Sequence, residues 1–250
     1  MQDEGEKTRT ILVTGISSGI GAAVGRRLLA AGHRVIGVAR HPDRFTPPPG
    51  GGACYVPLVA DVADLDTWPV ALDALGAGGF GLPDGAVFAA GAGRFGSLEE
   101  FSYRQIHALI GLDLTAQIVG VRWLLPHLKR AGRGDLILIG SEAGLSGGRR
   151  GAVYAAAKTG LQGFVRALRL EIARSGVRIT IINPGMVETP FFDAQPFAPG
   201  EGYDEHLVAE DVAAAVMLAL EARPGAVVDE INLSPQKTVL RFRKKDEPKA

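Results

Sequence analysis

Ser141, Tyr154 and Lys158 are the residues of this chain whose types and spacing can move a proton. Tyr154 and Lys158 stand four apart, about one helical turn, so on a helix both side chains leave the same face. An ammonium beside a phenol favours the phenolate, which predicts that Tyr154, with a reference pKa of about 10, exchanges its proton nearer neutral pH. Ser141 follows the apolar run Asp135–Ile139 and offers a hydroxyl to the oxygen that Tyr154 protonates. A tyrosine and a lysine at this spacing also mark ordinary solvated helix faces, so the assignment needs support from the elements that carry them.

That support begins with Thr14-Gly15-Ile16-Ser17-Ser18-Gly19-Ile20-Gly21, which follows the strand-like Thr10-Ile11-Leu12-Val13 and precedes a helix-like Ala22 to Ala31. Strand, glycine turn and helix are what a dinucleotide pyrophosphate requires. Gly15 permits the tight turn, Gly19 lets backbone approach phosphate, Gly21 packs helix on strand, and the helix start supplies N–H donors to the anion. The second strand ends Val35-Ile36-Gly37-Val38-Ala39-Arg40, with no acid to accept from a ribose 2′-hydroxyl. A guanidinium there grips a 2′-phosphate, so Arg40 points to NADP(H), with NAD(H) the lesser candidate.

Apolar strand-like runs alternate with helix-like stretches along the whole chain, the pattern of a mostly parallel sheet covered on both faces. We expect strands at Ile11–Thr14, Arg34–Val38, Cys54–Val59, Ala86–Ala90, Leu136–Ile139, Arg178–Ile182 and Val228–Leu233. The long helices are expected at Gly19–Ala31, Asp113–Arg130, Ala152–Ser175 and Glu210–Ala222. The fold class is therefore α/β: one Rossmann-type, doubly wound, seven-stranded sheet. With 250 residues, 46% of them hydrophobic, the chain suits a single domain over 1–250. Residues 1–8 and the charged 241–250 are expected to be mobile tails. Thr46 to Gly52, rich in Pro and Gly, reads as a solvated connector.

Zero formal net charge argues against a nucleic-acid or anionic-membrane partner. The acidic opening lacks an apolar leader, and no apolar run approaches the ~20 residues of a membrane span, so a cytoplasmic protein is expected. The lone Cys54 cannot form an internal disulfide and is read as an apolar strand residue. His33, His41, His107, His127 and His206 have no metal-cage spacing, so no metal site is expected.

Together these motifs resemble the short-chain dehydrogenase/reductase family, in its Thr-Gly-x-x-x-Gly-x-Gly and Tyr-x-x-x-Lys form, from about Thr10 to Pro235. The resemblance implies that Ser141, Tyr154 and Lys158 are catalytic and that Gly15, Ser17, Ser18, Gly19, Ile20 and Gly21 hold the pyrophosphate side of a nicotinamide cofactor. It also implies that Asp61 and Val62 touch adenine, that Ala90 and Gly91 form a shelf near the adenosine, and that Tyr154 and Lys158 contact the cofactor. Asn183-Pro184-Gly185-Met186-Val187-Glu188-Thr189-Pro190 resembles the family segment that holds the nicotinamide amide, through Pro184, Gly185, Val187 and Thr189. The segment from Thr189 to Gly202, with Phe191, Phe192 and Phe197, corresponds to the substrate cover. Relatives are commonly dimers or tetramers, so a homodimer or homotetramer is expected.

The chain departs from the family in two places. Phe88-Ala89-Ala90-Gly91 stands where relatives carry Asn-Asn-Ala-Gly, and Asp113 aligns with a catalytic Asn that holds a water chain to the lysine. Asp113 is read either as an acceptor in the same role or as a solvated residue at a helix start. The expected activity is NADPH-dependent reduction of a ketone or aldehyde, or the reverse oxidation of a secondary alcohol. Val227 to Pro235 resembles a subgroup that includes 3-hydroxy acid dehydrogenases. The alternative is a catalytically idle dinucleotide-binding sensor or scaffold.

Overall fold

The fold, seen in a computed structural model that describes residues 8–77 and 81–243, is a seven-stranded, all-parallel sheet in the order β3-β2-β1-β4-β5-β6-β8. The strands are β1 (Thr10–Thr14), β2 (Arg34–Ala39), β3 (Tyr55–Val59), β4 (Gly85–Phe88), β5 (Gly134–Ile139), β6 (Val177–Pro184) and β8 (Glu230–Leu233). A short antiparallel ribbon of β7 (Phe197–Pro199) and β9 (Leu240–Phe242) lies apart from it. The helices are α1 (Gly19–Ala30), α2 (Trp68–Ala77), α3 (Tyr103–Ile110), α4 (Ala116–Ala131), the single turn α5 (Ala143–Ser146), α6 (Ala152–Glu171) and α7 (Ala209–Leu220). This is the doubly wound Rossmann-type arrangement the alternating pattern predicts.

The core lies on both faces of the sheet because each central strand is apolar on both. Along β1, Ile11 and Val13 pack with Leu28 of α1 and Val212 and Val216 of α7. Leu12 points the other way, into a layer with Trp68 of α2, Leu124 of α4 and Leu161 of α6. Trp68 is fully buried, and its indole N–H donates to the Ala116 carbonyl at 3.3 Å.

Helix α3 starts on a capping box, with Ser102 Oγ accepting from the Gln105 N–H and Gln105 Oε1 accepting from the Ser102 N–H. It passes through a π turn at Gly111–Thr115 into α4, which contains Pro126 and ends on Gly132 in the left-handed region at φ 67°. The helical run Tyr103–Ala131 is thus continuous and 29 residues long, and by length and composition it is apolar enough to cross a membrane. This corrects the expectation that no apolar run approaches that length, which Asp113, Gln117 and Arg122 obscure by breaking the run into short apolar pieces. Here Asp113, Val121, Leu124 and Leu128 are buried against the rest of the protein.

The expected tail at 241–250 needs correction. Arg241 and Phe242 belong to β9, and the Arg243 N–H donates to the Pro196 carbonyl at 2.9 Å; residues 244–250 and 1–7 lie outside the described residues. Cys54 is half-buried in a 3₁₀ turn just ahead of β3 rather than within the strand.

Candidate active site

The parallel sheet delivers its loops to the carboxyl ends of its strands, and every element of the site starts there. After β1 the chain turns at Gly15 (φ 74°), where an added Cβ would lie 3.0 Å from the Ala90 backbone. A Cβ on Gly21 would meet the Gly15 carbonyl at 2.2 Å, so the first turn of α1 packs on the glycine turn as closely as backbone allows. Ser18, the N-cap, makes no side-chain cap, and no acid sits in the first turn. The N–H groups at the start of α1 are therefore uncommitted, which suits an anion such as a pyrophosphate. The residues present fit the dinucleotide that the glycine motif implies.

Ser141, Tyr154, Lys158 and Asp113 converge on one cavity of about 670 Å³, which is also lined by Ile20, Gly91, Pro184, Gly185, Val187 and Thr189. Ser17, Ser18, Gly19 and Thr189 line a smaller neighbouring cavity of about 400 Å³. Thr189 bridges the two, since its side chain lies 3.3 Å from where a Gly19 Cβ would be. Gly15, Gly21 and Ala90 form the packed backing of this track. Arg40, Asp61 and Val62 line neither cavity. Arg40 is exposed at the end of β2, Asp61 accepts from the Ala63 N–H at 3.0 Å, and Val62 is buried.

Tyr154 and Lys158 sit on the buried stripe of α6, which also carries Val153, Ala157, Leu161 and Gln162, and not on its solvated face. Lys158 Nζ donates to the Ile139 carbonyl at 3.1 Å, which ties it to the end of β5, and lies 5.7 Å from the Tyr154 ring centroid. Ser141, two residues beyond β5, accepts from the Ala143 N–H at 3.2 Å. Asp113 is fully buried, with Oδ1 3.2 Å from Lys158 Nζ and Oδ2 accepting from the Ala92 N–H at 3.4 Å. It lies inside the π turn, so neither a solvated side chain nor a helix start describes it. In place of the family's amide pair, Thr14 Oγ1 accepts from the Ala90 N–H and Gln117 donates to the Ala90 carbonyl.

The electrostatics correct one expectation. Burial pushes the Tyr154 phenol above its ordinary value, the Lys158 ammonium and the Ser141 hydroxyl oppose the rise, and the Asp113 carboxyl adds to it. The net direction is upward, so Tyr154 is held as a proton-bearing phenol rather than drawn toward neutral pH. For Lys158, burial disfavours the ammonium, but Asp113 and Tyr154 outweigh it and raise the lysine above its ordinary value. The Asp113 carboxyl is raised by burial, with Lys158 pulling against it.

Sequence reasoning missed five contributors. Phe95 packs on Tyr154, with centroids 5.4 Å apart. Glu142 lines the large cavity, where burial raises its carboxyl. Arg44 lines the smaller cavity beside Ser17 and Ser18, four residues after Arg40, and the run of prolines that follows hid it. Leu240 and Phe242 reach the large cavity through a ribbon that joins segments some 40 residues apart.

Known proteins share the sequence pattern and the fold. Residues 9–196 match the short chain dehydrogenase family. An uncharacterised oxidoreductase of Staphylococcus epidermidis is 29% identical over 92% of this chain and 98% of its own. The D-beta-hydroxybutyrate dehydrogenase of Rhizobium meliloti is 32% identical over 84% of this chain and 83% of its own. Among solved structures, an alcohol dehydrogenase from the archaeon Thermococcus sibiricus, complexed with 5-hydroxy-NADP, superimposes with a TM-score of 0.82 at 26% identity, covering 93% of this chain and 99% of that one. A glycine turn backed by Ala90, a serine, tyrosine and lysine gathered at the end of β5, and a match across three quarters of the sequence have one common explanation: the chain belongs to the short-chain dehydrogenase family, oxidoreductases that act on hydroxyl and carbonyl groups.

Proposed function

We propose that the protein is an NADPH-dependent carbonyl reductase, acting on a ketone or aldehyde and, in reverse, on a secondary alcohol. The observation that carries this reading is the burial of Tyr154 beside Lys158 and Ser141 in one cavity that Ile20 of the glycine loop also lines. The bound nicotinamide supplies or accepts hydride. Tyr154 gives its proton to the substrate oxygen, Ser141 donates to that oxygen as charge develops, and the Lys158 ammonium beside Tyr154 favours the phenolate that is left. Asp113 fixes Lys158 from behind. Gly15, Ser17, Ser18, Gly19, Ile20 and Gly21 bind the pyrophosphate side, Asp61, Val62, Ala90 and Gly91 the adenosine side, and Pro184, Gly185, Val187 and Thr189 the nicotinamide side.

Turnover of a carbonyl panel with NADPH and with NADH tests the reading directly. Reduction with NADPH supports it, and cofactor binding without turnover of any carbonyl would return the protein to the sensor class. The NADP form named for the Thermococcus structure agrees with an NADPH choice, and Arg40 is the residue we assign to it. Arg40→Asp is expected to move the NADPH:NADH ratio of kcat/KM toward NADH by about tenfold to a hundredfold, the worth of a charge-assisted hydrogen bond to phosphate. A wild type that already prefers NADH would remove Arg40 as the selector. A 3-oxo or 3-hydroxy acid is the narrower substrate class suggested by the Rhizobium relative, and acetoacetate belongs in the panel for that reason. Light scattering of the purified protein tests the expected homodimer or homotetramer.

A further inference from the structure

Five aromatic rings form a closed circuit at the substrate side of the cavity. Tyr154 contacts Phe95 at 5.4 Å and Phe191 at 5.9 Å, Phe95 contacts Phe197 at 4.9 Å, and Phe192 joins Phe197 at 5.8 Å to Phe191 at 5.0 Å. The proton-donating phenol is thus one member of an apolar wall. Next to this wall, in the ribbon where Phe242 pairs with Phe197, Leu240 and Phe242 reach the cavity, with Thr238 just ahead of them. Residues two apart on a strand share a face, so Leu240 and Phe242 look toward the cavity while Arg241 faces away.

The outward-facing residues fasten this strand. Arg241 Nε donates to the Pro199 carbonyl at 2.9 Å and its guanidinium pairs with Glu201. Arg243 donates to the Asp193 carbonyl at 2.7 Å. Lys237, at the approach to the strand, pairs with Asp204 at 2.8 Å. The strap is therefore held at both ends, and yet Leu240 and Phe242 remain 47% and 77% exposed. Large apolar groups fixed in place at a cavity mouth are covered only when something apolar enters. The charges lining the cavity offer an anion little: Asp113 is paired with Lys158, Arg150 with Glu100, and Glu142 brings a carboxyl of its own, leaving Arg149 at the exposed rim.

Resting on the carbonyl reductase reading and going beyond it, we infer that the strap Lys237–Arg243 is a specificity element. Leu240 and Phe242 form the roof of a substrate site, extending the aromatic circuit across the ribbon from Phe197, that takes a bulky neutral ketone with an aromatic or alicyclic flank in preference to a short 3-oxo acid.

With NADPH, the full chain is expected to reduce acetophenone with a kcat/KM about tenfold or more above that for acetoacetate or acetone. Phe242→Ala should raise KM for acetophenone about tenfold, with kcat changing less, and should lower the acetophenone:acetone selectivity by a similar factor. Phe242→Leu should restore most of it. The double variant Arg241→Ala/Arg243→Ala, which unfastens the strap and keeps its lining side chains, should shift selectivity in the same direction. An unchanged ratio, an equal fall for both ketones, or a wild-type preference for acetoacetate overturns the inference. If no carbonyl is reduced, the reductase reading fails by itself, and acetophenone binding followed by saturation-transfer NMR decides the strap. Binding that is lost in Phe242→Ala supports the roof, whereas binding unchanged in that variant, or absent in the wild type, overturns it.

Discussion

Replacing Tyr154 by Phe is expected to cut carbonyl reduction by about 10²- to 10⁴-fold, or about 3–5 kcal/mol of transition-state stabilisation, while cofactor binding survives. The substitution deletes one oxygen and preserves the ring that packs against Phe95 and Phe191. NADPH binding followed by fluorescence should match the wild type, and single-turnover reduction should not. Because burial holds the phenol above its ordinary value, the wild-type reductase should stay active through neutral pH and fall only in the alkaline range as the phenol ionises. Alcohol oxidation, which needs the phenolate as base, should rise over that same range. A Phe variant that turns over at a near-normal rate would mean that another group delivers the proton.

Asp113 carries the second large effect. With Asp113→Ala the Lys158 ammonium stays buried and loses the partner 3.2 Å away. Stranding one member of a buried pair costs about 3–5 kcal/mol, which for a chain of this size is a fall in Tm of about 6–20 °C. Asp113→Asn keeps the shape and an acceptor oxygen, so it should fold and turn over, but it removes a negative charge that raises both Lys158 and Tyr154. The alkaline limb of reduction should therefore move to lower pH in the Asn variant, and oxidation at neutral pH should gain. Calorimetry and pH profiles of the two variants check this. A thermally normal Ala variant, or an Asn variant whose limb does not move, would reduce Asp113 to a packing residue.

The convergence of Ser141, Tyr154 and Lys158 and the glycine turn were legible because each is local: a spacing of four, or eight consecutive residues between a strand and a helix. The parallel sheet was legible because all its central strands are apolar on both faces, a pattern that survives errors of a few residues at the ends. Tyr154's upward shift was not legible, since spacing reveals the neighbouring ammonium but not the degree of burial, and burial is the larger influence here. Nor was the setting of Asp113, because α3 and α4 run together through a π turn and the sequence carries no mark of the extra residue. The ribbon escaped for a different reason. Leu240–Phe242 sits in a basic terminal stretch, and only its pairing with Phe197–Pro199 turns those arginines from solvated charges into fasteners.

The π turn at Gly111–Thr115 has a bearing on how this helix tolerates changes in length. Such a turn is an α-helix that has accommodated one additional residue. Deleting a residue elsewhere in the run Tyr103–Ala131 would rotate everything beyond it by about 100° and shift it by about 1.5 Å, turning Val121, Leu124 and Leu128 out of the core. Deleting Asp113 itself would convert the bulge to regular helix and let both flanking segments keep their packing. The bulge is thus the place in this long helical run where a residue can be lost without turning the following helix out of the core, although losing Asp113 there still strands the buried Lys158 ammonium, so helix register and the carboxylate's own contribution to stability can be measured apart.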